Sequence, residues 1–408
     1  MKVRQICMMV LLGLGVIPAM QAQTFDKLWK EVKQAEKKSL PKTVIKLTDE
    51  IYQKGEKERN SAQMLKAYMW RMKTQDILTP DSFYVGLRDL EQWAKQTEQP
   101  MDRAILHSLI AEFYANYAAD NQWQLRQRTE IVGETPSADI REWTANMFVE
   151  KVRTNVKEAL ADSLLLLKTS SLNYIPFVEL GETSEYYHHD MYHLLASRAI
   201  RALNQIERLE RGSFNGITAS PVKQDISNIY ERMTDAYETA GLKEGYVLTM
   251  LQYLEWKRGN DNKLQPVQLK KGLGEWTADT YNAALDELKR QFKSEPICAE
   301  VYLAQVRYAV EKMQQVNALQ LCDEAIRLYP GYRRINALKN LREEILAPFL
   351  NVSAVSQAFP NEEIKLNVGH KNLDGFTVRL YQAKKLVKEQ HYSVLRPKDY
   401  RAKDTVFT

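Results

Sequence analysis

The sequence predicts a mainly α fold in which a solenoid of helical hairpins is followed by an incomplete antiparallel β-sandwich. Three features predict it. Apolar residues recur at three- and four-residue intervals over some three hundred positions, prolines stand where several of these stretches open, and the pattern turns to period-two alternation after Ala347-Pro348. The expected organisation is a leader over residues 1–22, a helical repeat domain over 23–348 and the start of a β domain over 349–408.

The helical hairpins come first. Phe25, Leu28, Trp29, Val32 and Ala35 share one helical face, with Thr24 placed to cap it. Pro41 opens a second helix, where its missing N–H costs nothing, and Val44, Ile45, Thr48, Ile51 and Tyr52 form its stripe. Met64, Leu65, Tyr68, Met69 and Met72 stripe a third helix. Pro80 opens a fourth with Phe83, Leu87, Leu90 and Trp93, and Pro100 a fifth with Ile105, Leu109, Phe113 and Tyr117. Further amphipathic stretches begin near Ala138, Ser184, Pro221, Gly241 and Glu275. Helices of this length joined by short polar turns stack side by side. The clearest single repeat runs from Pro296 to Pro330: Tyr302, Ala318, Cys322, Ala325 and Pro330 are spaced in a way that resembles the tetratricopeptide repeat, in which small residues let paired helices approach.

Beyond Pro348, Ile364, Leu366 and Val368 alternate with polar residues, as do Phe376, Val378 and Leu380. Asn372-Leu373-Asp374-Gly375 between them predicts a tight β-hairpin, with glycine taking the positive φ. Residues 350–408 suffice for four or so short strands, whereas a covered seven-stranded sandwich takes roughly a hundred residues. Open strand edges are an aggregation liability, so the remaining strands are expected to lie outside this sequence, and the ending at Thr405-Val406-Phe407-Thr408 is expected to be a truncation.

At the other end, Lys2 and Arg4 precede the apolar run Ile6–Ile17, followed by Pro18 and small residues to Ala22, the pattern of a secretory leader cleaved near Gln23. The run is shorter than the roughly 20 residues that span a bilayer. A soluble protein of the periplasm, cell envelope or extracellular space is therefore expected. Cys7 leaves with the leader. Cys298 and Cys322 remain; both fall on apolar helix positions, and either a disulfide or two buried thiols fits them. The net charge of +5 becomes +3 once Lys2 and Arg4 are removed, and basic and acidic residues interleave, which excludes a nucleic-acid-binding face. With 44% hydrophobic and 27% charged residues, the composition is that of a folded soluble protein.

Candidate chemistry is sparse. In His188-His189-Asp190-Met191-Tyr192-His193, His189 and His193 stand four apart and on a helix could share a zinc ion; a metalloprotease needs glutamate where Asp190 stands. The competing reading has these histidines and Tyr186, Tyr187 and Tyr192 packing between helices. His107 reads as an interfacial residue, and His370 and His391 have no evident partners. Gly-x-Ser-x-Gly, phosphate-loop and dinucleotide motifs do not occur after the leader. Trp29, Trp70, Trp93, Trp123, Trp143, Trp256 and Trp276 admit a sugar-stacking role, although helical spacing favours packing for most of them. No catalytic, cofactor-binding or metal residue is assigned, and an enzyme is not expected.

Several segments together resemble the amino-terminal region of bacterial alpha-2-macroglobulin-like proteins. They are the leader, Leu28-Trp29-Lys30-Glu31-Val32 through Pro41-Lys42-Thr43, Thr79-Pro80-Asp81-Ser82-Phe83-Tyr84, Ile140-Arg141-Glu142-Trp143-Thr144-Ala145-Asn146 and Tyr192-His193-Leu194-Leu195-Ala196-Ser197-Arg198-Ala199. Phe359-Pro360, Asn372-Leu373 and Val378-Arg379-Leu380-Tyr381 are similar to the opening of a macroglobulin β domain. The resemblance implies a secreted or periplasmic protease trap, in which a bait segment is cut and the molecule rearranges around the protease. Many such proteins add a thioester formed within Cys-x-Glu-Gln. Here Cys298-Ala299-Glu300 is followed by Val301 and Cys322-Asp323-Glu324 by Ala325, so neither cysteine can form it. The implied role is an amino-terminal fragment that scaffolds or contacts a protein partner, proteases in the full-length context, without trapping alone. The alternative is a free-standing tetratricopeptide-like envelope scaffold.

Overall fold

In the computed structural model, residues 17–79, 82–129, 137–181, 184, 189–210, 220–260, 280–354, 363–377, 380–383 and 400–407 are described. They are mainly helical. The helices are α1 (Ile17–Lys37), α2 (Pro41–Lys57), α3 (Ser61–Leu78), α4 (Ser82–Gln96), α5 (Pro100–Asp120), α6 (Gln122–Gln127), α7 (Ala145–Ala159), α8 (Ser163–Lys168), α9 (Met191–Glu207), α10 (Pro221–Thr239), α11 (Lys243–Asn260), α12 (Thr280–Gln291), α13 (Cys298–Glu311), α14 (Gln315–Leu328) and α15 (Ile335–Leu346). The chain divides into two compact units, residues 1–301 and 302–408. Among the described residues no helix is long and apolar enough to cross a membrane.

In the first unit each helix packs mainly on its neighbours in sequence: α1 on α2, α2 on α3, α3 on α4, α4 on α5, then α5 on α7 and α9, α9 on α10, and α10 on α11. The apolar stripes account for the order. Phe25, Trp29, Val32 and Ala35 of α1 bury against Val44 and Ile51 of α2 and Ala67 of α3. Pro41 and Pro100 stand at the first turns of α2 and α5, as their sequence predicts; Pro80 lies outside the described residues. Other predicted openings shift. Helix α1 starts at Ile17, so Thr24 lies within it and is not its cap. The stretch placed near Ala138 opens as a short 3-10 turn, Ile140–Glu142, ahead of α7, and the α-helix after the stretch placed near Ser184 starts at Met191; Asp139 and Asp190 cap these two starts, accepting hydrogen bonds from Arg141 N at 2.9 Å and His193 N at 2.6 Å.

Four helix ends share one reversal. At the end of α10, Gly241 takes a left-handed φ of 68°, its N–H reaches the Glu238 carbonyl at 3.0 Å, and the Leu242 N–H reaches the Tyr237 carbonyl at 2.9 Å. These two bonds satisfy carbonyls that the helix leaves open. The same pair closes α1 through Ser39 (φ 52°), α2 through Arg59 (φ 53°) and α13 through Met313 (φ 58°). Each reversal leads into the next helix within a few residues.

The second unit contains α14 packed on α15 and two two-stranded antiparallel sheets. Ala318, Cys322 and Ala325 of α14 are fully buried, and the Tyr302 and Tyr329 rings lie 6.0 Å apart. Helix α15 ends at Leu346 and strand β1 (Phe349–Ala354) opens three residues later, pairing with β2 (Leu366–Lys371) so that Val352 faces Val368. Strand β3 (Leu380–Ala383) pairs with β4 (Tyr400–Phe407). The expected hairpin across Asn372–Gly375 is therefore not formed: β2 takes β1 as its partner and β3 takes β4. Asn372, not Gly375, adopts the left-handed φ, at 52°. Its side-chain amide donates to the Ile345 carbonyl at 2.7 Å and the Ala347 carbonyl at 3.3 Å, and Lys371 Nζ donates to the Glu344 carbonyl at 2.8 Å. Asparagine tolerates this conformation, and tying it to open carbonyls at the end of α15 outweighs a local turn.

The reversals make a reciprocal prediction. Replacing Met313 or Arg59 by glycine relieves the Cβ clash of the left-handed residue and raises stability by up to about 1 kcal/mol, whereas Gly241→Ala lowers it by a similar amount. Chemical denaturation of the three variants measures both signs; a loss of stability in both glycine variants contradicts the assignment.

Candidate functional site

The histidine cluster is built around the start of α9. Asp190 caps the helix, so His193 lies in its first turn while His189 precedes it, its carbonyl accepting from the Ser171 N–H at 2.7 Å and the Ser171 hydroxyl at 3.2 Å. His188, Tyr186 and Tyr187 lie outside the described residues. Asp190 is buried, and the Tyr237 hydroxyl donates to its two carboxylate oxygens, 3.1 Å from Oδ1 and 2.9 Å from Oδ2. The Asp190 carboxylate thereby ties the start of α9 to α10. Burial, with the Asp190 charge beside it, pushes the Tyr237 phenol far above its ordinary range. Among the described residues no group of histidine, cysteine, aspartate and glutamate side chains is placed to hold a metal ion.

His107 joins α5 to α7: its Nδ1 lies 2.8 Å from Asn155 Oδ1, and Asn155 in turn donates to the Lys151 carbonyl at 2.8 Å. With the amide oxygen facing it, Nδ1 carries the proton. The tryptophans divide. Trp29 and Trp143 are buried, the first donating to Gln63 Oε1 at 2.7 Å and the second stacked on Tyr114 with 7° between planes. Trp70 stands edge-on to Trp29, and Trp93 meets Tyr52 and Tyr68. Trp123 departs from the packing reading at 72% exposed, and Trp276 lies outside the described residues. Cys298 and Cys322 are both buried free thiols. Burial and the neighbouring Asp323 push the Cys322 thiol up to about 11, leaving it protonated and unreactive at neutral pH.

Two surfaces offer room for a partner. Between α7 and α10 lies a groove of about 680 Å³ with mixed charge, where Arg153 bridges Asp225 at 2.5 Å and Glu150 at 2.8 Å. Sequence reading missed it because Arg153 and Asp225 are far apart in the chain and neither belongs to a motif. The other is the β1–β2 sheet, whose Phe349, Leu350, Val352 and Leu366 are 53%, 45%, 46% and 42% exposed. Apolar strand residues are ordinarily covered on one face. No protein-family model matches the chain, and no curated protein matches it.

Two outcomes follow for the buried acceptors. Asp190→Ala removes the cap and leaves the Tyr237 hydroxyl without its acceptor, costing about 2–4 kcal/mol, while Tyr237→Phe costs about 1–2 kcal/mol; urea denaturation ranks them, and equal effects contradict the dual role. Burial also raises Tyr230 and Tyr246 to about 12. A phenol whose folded pKa lies above its unfolded value of about 10 contributes stability that is complete below that pH and fades as the pH rises toward 12. Stability measured across that window is expected to fall together with the rise of phenolate absorbance.

Proposed function

We propose that the chain is the helical amino-terminal part, with the opening β strands, of an alpha-2-macroglobulin-like protease inhibitor exported to the periplasm, cell surface or medium. Its helical hairpins, stacked as a tetratricopeptide-like solenoid, act as a scaffold or contact surface, and its β strands begin a macroglobulin-like sandwich. The observation that carries this reading is the β1–β2 sheet, which follows directly on α15 and exposes on one face Leu350, Val352 and Leu366, strand residues of the kind a second sheet covers. Sequential packing of the first-unit helices supports the solenoid. The chain lacks a Cys-x-Glu-Gln sequence, so any capture it takes part in proceeds without a thioester from these residues. It is not an enzyme in this reading.

A second reading, a free-standing envelope scaffold, is favoured by the groove between α7 and α10, which has the size and mixed charge to take a polar protein segment. One experiment separates the two. The product of the complete reading frame is mixed with endopeptidases and residual activity is followed on a large protein substrate and on a short peptide. A trap blocks the large substrate and spares the short one, because the enclosed protease keeps a free active site. Residues 1–408 alone are expected to block neither. Equal loss on both substrates, or no loss with the complete product, removes the inhibitor reading and leaves the scaffold.

A further inference from the structure

A third recess, of about 520 Å³, opens between α5, α6 and α9. Ala119 and Gln122 line one side, and one face of α9, from Ser197 to Arg208, lines the other. Arg201 and Arg208 stand seven residues apart on that face, about 10 Å along the helix axis. Among the described residues no aspartate or glutamate lines the recess.

The two guanidiniums are uncompensated. Arg198, on the same helix, is held by Glu112, and Glu207, beside Arg208, is held by Lys223 at 3.3 Å. Arg201 and Arg208 form no ion pair and no side-chain hydrogen bond among the described residues. The Arg126 guanidinium donates to the Arg208 carbonyl at 2.7 Å and brings a third positive charge to that end. A recess lined by one sign of charge attracts the other, and the planar fork of an arginine matches a carboxylate. The groove between α7 and α10 differs in this respect, since there Arg153 is answered by Asp225 and Glu150.

The rest of the recess suits a ligand rich in hydroxyls. Gln122 and Asn204 each offer a donor and an acceptor. Beside Gln122 in α6 stands Trp123, 72% exposed, whereas Trp29 and Trp143 are buried. An indole is a large apolar surface, and one held in water at the rim is placed to cover the apolar face of a pyranose ring. We infer that this face of the first unit binds an acidic oligosaccharide: its carboxylates accept from Arg201 and Arg208, its hydroxyls exchange hydrogen bonds with Gln122 and Asn204, and a further ring lies on Trp123 outside the recess. The volume is within the usual range of ligand sites. A peptide of acidic residues answers the arginines but gives the exposed indole no ring to cover. This binding is independent of both readings above.

The test is calorimetric titration of the whole chain, at low ionic strength, with trigalacturonate and with its methyl ester, which keeps the rings and loses the charge. The acid is expected to bind saturably at one site, about tenfold or more tightly than the ester, and to weaken as salt is added. Arg201→Gln and Arg208→Gln are each expected to weaken the acid roughly fivefold and the ester by less than about twofold, whereas Trp123→Ala weakens both alike. All three side chains are exposed, so the variants leave the core as it is, and the comparison of acid with ester on the unaltered chain stands without them. Absence of saturable binding of the acid, or equal affinity for acid and ester, overturns the proposal; so does binding of the acid that neither arginine variant weakens, or binding of both ligands that Trp123→Ala leaves unchanged. A tetraglutamate peptide that binds as tightly as trigalacturonate assigns the face to an acidic protein segment and overturns the oligosaccharide.

Discussion

Helix α5 is buried on several sides, between α4, α7 and α9, but other helices of the first unit, such as α1, α2 and α10, carry one apolar stripe, and the cheapest cover for it is the next helix in sequence. Covering it requires the chain to turn back within a few residues and to leave few buried carbonyls unpaired. The left-handed residue at Ser39, Arg59, Gly241 and Met313 meets both demands with the same two hydrogen bonds. Packing of α1 on α2, α2 on α3 and α10 on α11 follows from it. Only one of the four positions is glycine, so the other three hold a conformation that costs an L-residue roughly 1–2 kcal/mol, offset by the apolar burial that the reversal makes possible.

Buried polar groups then sort into two kinds. Asp190, Asn155 and Gln63 are acceptors already engaged, by Tyr237 and the His193 N–H, by His107 and by Trp29. They tie neighbouring elements together. The Trp70 Nε1–H and the Ser108 hydroxyl are buried donors without a hydrogen-bond partner among the described residues. The distinction matters because a satisfied polar group explains itself through stability, whereas an unsatisfied one persists only at a cost.

The β strands pose the opposite case. The helices of the first unit bury their stripes, but β1 and β2 leave Phe349, Leu350, Val352 and Leu366 substantially exposed, and the sheet has two strands. Two-stranded ribbons are marginal in water without something packed on them. Here the hydrogen bonds from Asn372 and Lys371 to the last turn of α15 anchor one end.

Helical character, the prolines at the openings of α2, α5 and α10, and the change from helix to strand beside Ala347-Pro348 were all legible in the sequence, because periodicity and proline geometry act over a few residues. Strand partners were not legible: Asn372–Gly375 looks like a local hairpin turn, but pairing depends on which distant strand and which open helix carbonyls are within reach. The spacing of His189 and His193 is not that of two residues on one helix, because Asp190 caps α9 between them. Local backbone preferences are written residue by residue; partners across space exist only after the helices have packed.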